Sequence, residues 1–185
     1  MKIKEILARN PVIPAIKNKI NLEEACSCES EIVFVIMSTL SNIDEIITSL
    51  KENNKIVFVH VDMIEGLSSS NYSVEYIMKN TKADGIITTK HSIVNFAKKN
   101  DICVIQRFFI LDSFSFKKTI THVRENKPDA IEVLPGVMPK IIKRVCNLLN
   151  LPIITGGLID EKDDIINALN AGAEGISTTD KGLWD

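Results

Sequence analysis

Residues 151–180 read LPIITGGLIDEKDDIINALNAGAEGISTTD, and this stretch alone holds a strand, a helix and a second strand. Ile153 to Thr155 is a short β-branched run closed by Gly156-Gly157. Lys162 to Ala171 carries apolar residues at i, i+3 and i+4, and Gly175 to Ser177 is a second strand-like run. Two strands joined by a helix-length crossover run parallel, because an antiparallel pair needs only a short turn between them.

Outward from this unit the same rhythm returns, at intervals of roughly 20 to 28 residues. Strands are expected at Val12 to Ile16, Ile32 to Met37, Ile56 to Val61, Gly85 to Thr88, Ile102 to Arg107 and Ala130 to Leu134, which with the two above makes eight. Helical spacing covers Asn42 to Asn53, Tyr72 to Asn80, Ser92 to Asn100, Ser113 to Asn126 and Pro139 to Asn150, several opening on a capping Ser, Asp or Asn. The first connection, Asn21 to Ser30, has room for only a short helix, and the chain reaches Asp185 before an eighth helix can form. The reading is an α/β fold: one small (β/α)8 barrel domain over residues 1–185, with a short first helix and a truncated last one. At 185 residues the chain falls below the usual ~200 for this fold, so an open doubly wound sheet stays as the alternative.

Composition agrees with one core, since 45% of residues are hydrophobic and no linker or low-complexity tract interrupts them. A net charge of −2 excludes a global positive field, so any nucleic-acid contact must come from a local patch. Cys26, Cys28, Cys103 and Cys146 form no secreted disulfide framework and no zinc-ligand spacing, and read as reduced thiols. The N-terminus is charged and broken at Pro11, and no apolar run approaches the ~18 residues a bilayer requires. A cytoplasmic protein with no membrane partner is expected; self-association into a homo-oligomer stays open.

In such a barrel, functional groups gather where strands end. Gly156 and Gly157 let backbone N–H groups approach an anion, while Ser177, Thr178 and Thr179 on the neighbouring strand supply hydroxyls; together they read as a phosphate cup. Alternation along Phe58-Val-His-Val-Asp62 sets His60 and Asp62 opposite the valines, toward the barrel axis. The same parity points Glu132 inward beside Arg107, and Lys17 and Lys90 add positive charge at the rim. A polar layer with a structural ion pair is the plain reading of these residues. As a set they suit a small, anionic, polyhydroxylated ligand. An enzyme could use His60 as acid or base with Glu132 or Asp62 as partner. However, there is no nucleophile elbow, metal-binding HExxH or mid-strand Schiff-base lysine, so no catalytic residue, metal or cofactor is expected.

Several segments, in order, resemble the glycerol-3-phosphate-responsive antiterminator family of bacterial glycerol uptake operons. They are Pro11-Val-Ile-Pro-Ala-Ile-Lys17, Val59-His-Val-Asp-Met-Ile-Glu-Gly-Leu67, Asp84-Gly-Ile-Ile-Thr-Thr-Lys90, Gln106-Arg-Phe-Phe-Ile-Leu-Asp112, Lys127-Pro-Asp-Ala-Ile-Glu-Val-Leu-Pro-Gly136, Pro152-Ile-Ile-Thr-Gly-Gly157, and Ala171-Gly-Ala-Glu-Gly-Ile-Ser-Thr-Thr179 with Leu183-Trp184. The resemblance implies a non-enzymatic regulator that senses glycerol 3-phosphate as effector and binds the leader mRNA of a glycerol-metabolism operon to prevent termination. Candidate basic patches for the RNA are Lys98 and Lys99, Lys117 and Lys118 with Arg124, and Lys140, Lys143 and Arg144, all on outer helices, and the dense Lys140, Lys143 and Arg144 face is the preferred contact. A phosphosugar-handling barrel enzyme of isomerase or lyase type is the competing reading.

Overall fold

The computed structural model describes residues 3–185, and its strands close into a barrel. In chain order the elements are α1 (Ile3–Leu7), β1 (Val12–Lys17), α2 (Leu22–Ser27), β2 (Ile32–Thr39), α3 (Ile43–Glu52), β3 (Ile56–His60), β4 (Ile64–Glu65), α4 (Asn71–Asn80), β5 (Gly85–Thr88), α5 (His91–Lys99), β6 (Val104–Phe109), α6 (Ser113–Asn126), β7 (Ala130–Leu134), α7 (Pro139–Leu148), β8 (Ile153–Gly156), α8 (Lys162–Asn170) and β9 (Gly175–Thr178). Neighbouring strands pair in parallel around the ring, and β1 pairs with both β9 and β2, so the sheet has no open edge. The two-residue β4 only extends the rim beside β2. The barrel therefore has eight strands, and the open-sheet alternative falls away. As expected, α2 is short, and the last strand is followed by nothing longer than a 3-10 turn, Lys181–Leu183.

Strand parity sorts the core into two layers. Ile13, Ala15, Phe34, Phe58, Ile87, Ile105 and Ile154 fill the barrel, with Phe34 and Phe58 edge-to-face at 5.9 Å, while Val33, Val57, Val59, Ile86 and Val104 face the helices. The helix α1 lay outside the strand-helix rhythm; its Ile3 and Leu7 join the inner layer and stop the amino-terminal end of the barrel. A recurring device fixes the register. Asp84 accepts from Val57 N and from Lys51 of α3, and Asp129 accepts in the same way from Val104 N and from Lys98 of α5. Each carboxylate pins the start of a neighbouring strand to the helix that precedes it. At the other end, buried Trp184 donates from Nε1 to the Thr178 carbonyl and holds the last turn against the barrel after β9.

Among the described residues no helix is long and apolar enough to cross a membrane, and all four cysteines are free. Burial pushes the Cys103 thiol up to about 12, in keeping with an inert core residue.

Candidate functional site

The carboxyl ends of β1, β6, β7, β8 and β9 surround a cavity of about 270 Å³. Its floor is an ion pair. Glu132, fully buried on β7, accepts from Arg107 Nε at 2.5 Å and from Ser177 Oγ at 2.6 Å. Parity brings these three together, because Glu132 and Arg107 are in register across β7 and β6, and both turn inward. Among the described residues neither Nη group of Arg107 bonds to protein, which leaves a planar donor face for a ligand. Each oxygen of the carboxylate keeps a lone pair that can accept a hydroxyl.

Gly156 has a different job from the one its sequence suggested. A Cβ built there would stand 2.0 Å from Ser177 Oγ and 3.3 Å from Glu132 Oε1. The residue is glycine so that Ser177 and Glu132 can meet in the top layer of the barrel. Gly157 does line the cavity; its φ of 77° puts it in the left-handed region, and its carbonyl is taken by Gly136 N. Leu158 follows with φ 60°, costly for a branched residue, and also lines the cavity. Among the described residues the N–H groups of Gly157, Leu158 and Thr179 donate to no protein acceptor. Three residues with free N–H donors thus line one mouth, and such donors are the groups from which backbone anion sites are built. Lys17 stands on the same rim and has no ion-pair partner among the described residues.

The remaining sequence candidates divide. Ser177 is in place, but its hydroxyl proton is committed to Glu132, so toward a ligand it offers a lone pair. Thr178 turns its hydroxyl outward to the Ile159 carbonyl and reaches the cavity only as part of the wall. Thr179 is exposed at the rim and lines the cavity. His60 points into the barrel as alternation predicts, but it is buried, its Nδ1 has no hydrogen-bond partner, and it does not line the cavity. Burial, reinforced by the facing Arg107 guanidinium, pushes its imidazole down to about 4, so it is neutral at pH 7.

Asp62 departs furthest from expectation. The strand ends at His60, and Val61–Met63 is a 3-10 turn, which breaks the two-residue alternation that had aimed Asp62 at the axis. Its carboxylate instead accepts from Ser69 Oγ, Thr88 Oγ1, and the N–H and Oγ1 of Thr89. Against the upward push of burial, those bonds hold its carboxyl below the usual range. It clamps the loop between β4 and α4 to the end of β5. Lys90 reinforces that clamp by donating to the Ser69 carbonyl, away from the cavity.

On α7, Lys140, Lys143 and Arg144 are all exposed, and Arg144 lies 4.4 Å over the Phe116 ring. Among the described residues none has an ion-pair partner. The sequence reading missed Leu158, Asp160 and the backbone donors of the cavity. Their only sequence signal is adjacency to the Gly-Gly pair.

Comparison with known proteins bears on the family and the fold. A family model described as glycerol-3-phosphate responsive antiterminator matches residues 12–184. The chain is 38% identical over 184 residues to the uncharacterized protein YgcP of Escherichia coli strain K12, covering 100% of this chain and 96% of that protein. It is similar to the solved glycerol uptake operon antiterminator regulatory protein of Listeria monocytogenes strain 4b F2365, with a TM-score of 0.90 and 27% identity over 95% of each chain. A glycerol uptake operon antiterminator-related protein of Thermotoga maritima MSB8 superposes with a TM-score of 0.84 and 31% identity, over 94% of this chain and 96% of that one.

Proposed function

The chain belongs to the glycerol-3-phosphate responsive antiterminator family, and from that premise we propose that it senses glycerol 3-phosphate in the barrel mouth and binds the leader mRNA of a glycerol-metabolism operon. The phosphate sits against the N–H groups of Gly157, Leu158 and Thr179, with Lys17 above it. The glycerol hydroxyls face the Arg107–Glu132 pair and Ser177. The observation that carries the reading is the pairing of free backbone donors and an unpaired lysine on one wall with a buried carboxylate–guanidinium pair on the floor. One half suits a phosphate and the other a diol. The volume of about 270 Å³ lies below the ~300–1,000 Å³ that drug-sized ligands occupy, and so suits a small one. Regulation, with no chemical conversion of the ligand, fits a site whose imidazole is neutral, buried and outside the cavity.

Titration calorimetry on the purified chain tests this directly. Glycerol 3-phosphate binds, while glycerol and inorganic phosphate each bind at least tenfold more weakly. Each charge-assisted hydrogen bond contributes about 1.5–3 kcal/mol, so Lys17→Ala costs about ten- to a hundredfold in affinity. Equal affinity for glycerol and its phosphate ester would remove the phosphate wall from the reading. A gel shift with leader RNA, in the presence and absence of glycerol 3-phosphate, tests the second half. RNA affinity rises with ligand, and ligand affinity rises with RNA by the same factor.

A further inference from the structure

A second cleft, of about 240 Å³, opens beside the ligand cavity between α5 and α6. Arg107 lines both. Three more groups that can donate to an anion converge there: His91, His122 and Lys118, and no carboxylate lines the cleft. The two imidazoles touch, with centroids 3.7 Å apart. Two side-chain amides, Nε2 of Gln106 at 2.9 Å and Nδ2 of Asn126 at 2.8 Å, both reach His91 Nδ1. An amide nitrogen only donates, and with Nδ1 accepting from one of the two the ring carries its proton on Nε2. Burial, then His122 and Lys118, push the His91 imidazole below its ordinary value against the weaker opposing pull of Glu125.

Apolar side chains stand exposed next to this positive cleft. Phe109 at the end of β6 is 52% exposed and lines it, and Phe114 in the first turn of α6 is 73% exposed. Parity explains Phe109: it continues the inward row of Arg107 but lies above the barrel, where there is no core left to receive it. The nearest carboxylate along this loop, Asp112, is turned to the N–H of Ser115 as a helix cap. On the far side of the loop, Arg144 of α7 lies beside Leu111 and Ser113, so positive charge flanks the exposed aromatic rings on both sides.

We infer that the surface formed by the α5–α6 cleft and the loop from Phe109 to Phe114 binds single-stranded RNA, with Lys118, His91 and His122 on phosphates and Phe109 and Phe114 stacking on bases. Alternating cations and exposed aromatic rings are what an unpaired strand recognises, since every base has a stacking face and every linkage a charge. Duplex RNA hides its bases and gains nothing from the two phenylalanines. The placement also sets the RNA surface against the ligand cavity through a single side chain, Arg107. The inference rests on the RNA-binding reading above.

The test uses the full chain saturated with glycerol 3-phosphate and a fluorescein-labelled 16-nucleotide RNA of mixed sequence, as single strand and as blunt duplex. Binding is read by anisotropy. The wild type prefers the single strand. Phe109→Ala and Phe114→Ala each weaken it about tenfold, and Lys118→Glu flattens the salt dependence by about 0.7 in the log–log slope. Calorimetry with glycerol 3-phosphate stays unchanged in all three, which shows that they are folded. If the wild type binds and these variants bind equally well, while Lys140→Glu/Lys143→Glu/Arg144→Glu does not bind, the RNA surface is α7 and this inference is overturned with the proposed function intact. If the wild type binds neither RNA form at any ligand concentration, the RNA-binding reading falls, and this inference with it.

Discussion

Removing the guanidinium from the barrel floor tests the architecture of the site most severely. In Arg107→Met the aliphatic stem is kept and the charge is lost, so Glu132, fully buried, retains only the Ser177 hydroxyl. A buried ion left without its partner costs about 3–5 kcal/mol. For a chain of this length 1 kcal/mol is worth roughly 2–4 °C, so the melting temperature falls by roughly 6–20 °C. Glu132→Gln costs less, about 1–3 kcal/mol, because Gln still accepts from Ser177 and Arg107 is partly open to water. The double variant buries no uncompensated charge and is more stable than Arg107→Met alone. Urea denaturation of the four proteins without ligand closes the cycle, with a coupling of about 2 kcal/mol or more. Additivity within ~0.5 kcal/mol, or a loss below ~1 kcal/mol for Arg107→Met, would refute the claim that the pair is one buried unit.

Three further outcomes follow from residues at the same end of the barrel. His60 is neutral in the fold at about 4 against an ordinary 6.5, so as pH falls the unfolded chain takes up the proton first; its share of stability is intact above pH 6.5 and is lost on the way down to 4. Between pH 7 and 4.5 the wild type loses roughly 2–3 kcal/mol that His60→Leu does not lose, and parallel urea curves for both proteins would sink the assignment. Gly156→Ala, with its methyl at 2.0 Å from Ser177 Oγ, displaces that hydroxyl from Glu132; glycerol 3-phosphate affinity falls at least tenfold by calorimetry, and an unchanged value would mean that Ser177 plays no part in positioning. Asp62→Ala frees the donors of Ser69, Thr88 and Thr89 and costs about 1–3 kcal/mol in chemical denaturation, with ligand affinity unaltered; a large loss of affinity would return Asp62 to the ligand.

Where the sequence could be read and where it could not has a common physical cause. Inside a strand, parity is local: knowing that Val57 and Val59 face helices places Phe58 and His60 in the barrel, and the same rule joins Arg107 to Glu132 across two strands far apart in the chain. Eight such strands, all but the last followed by a crossover, call for a parallel sheet buried on both faces, and its closure is what the pairing of β1 with both β9 and β2 adds. The rule stops at the last strand residue. One 3-10 turn after His60 redirects Asp62 to a loop, one outward turn commits Thr178 to Ile159, and one left-handed pair at Gly157 and Leu158 opens backbone donors that no side-chain pattern announces. Gly156 was conspicuous for the wrong reason, since its lack of a side chain serves Ser177 and Glu132 before it serves any ligand. Because this fold places its ligands where strands end, the residues that matter most are those at which parity has just ceased to apply. The floor of the site was therefore legible, and its phosphate-facing wall was legible only as a location.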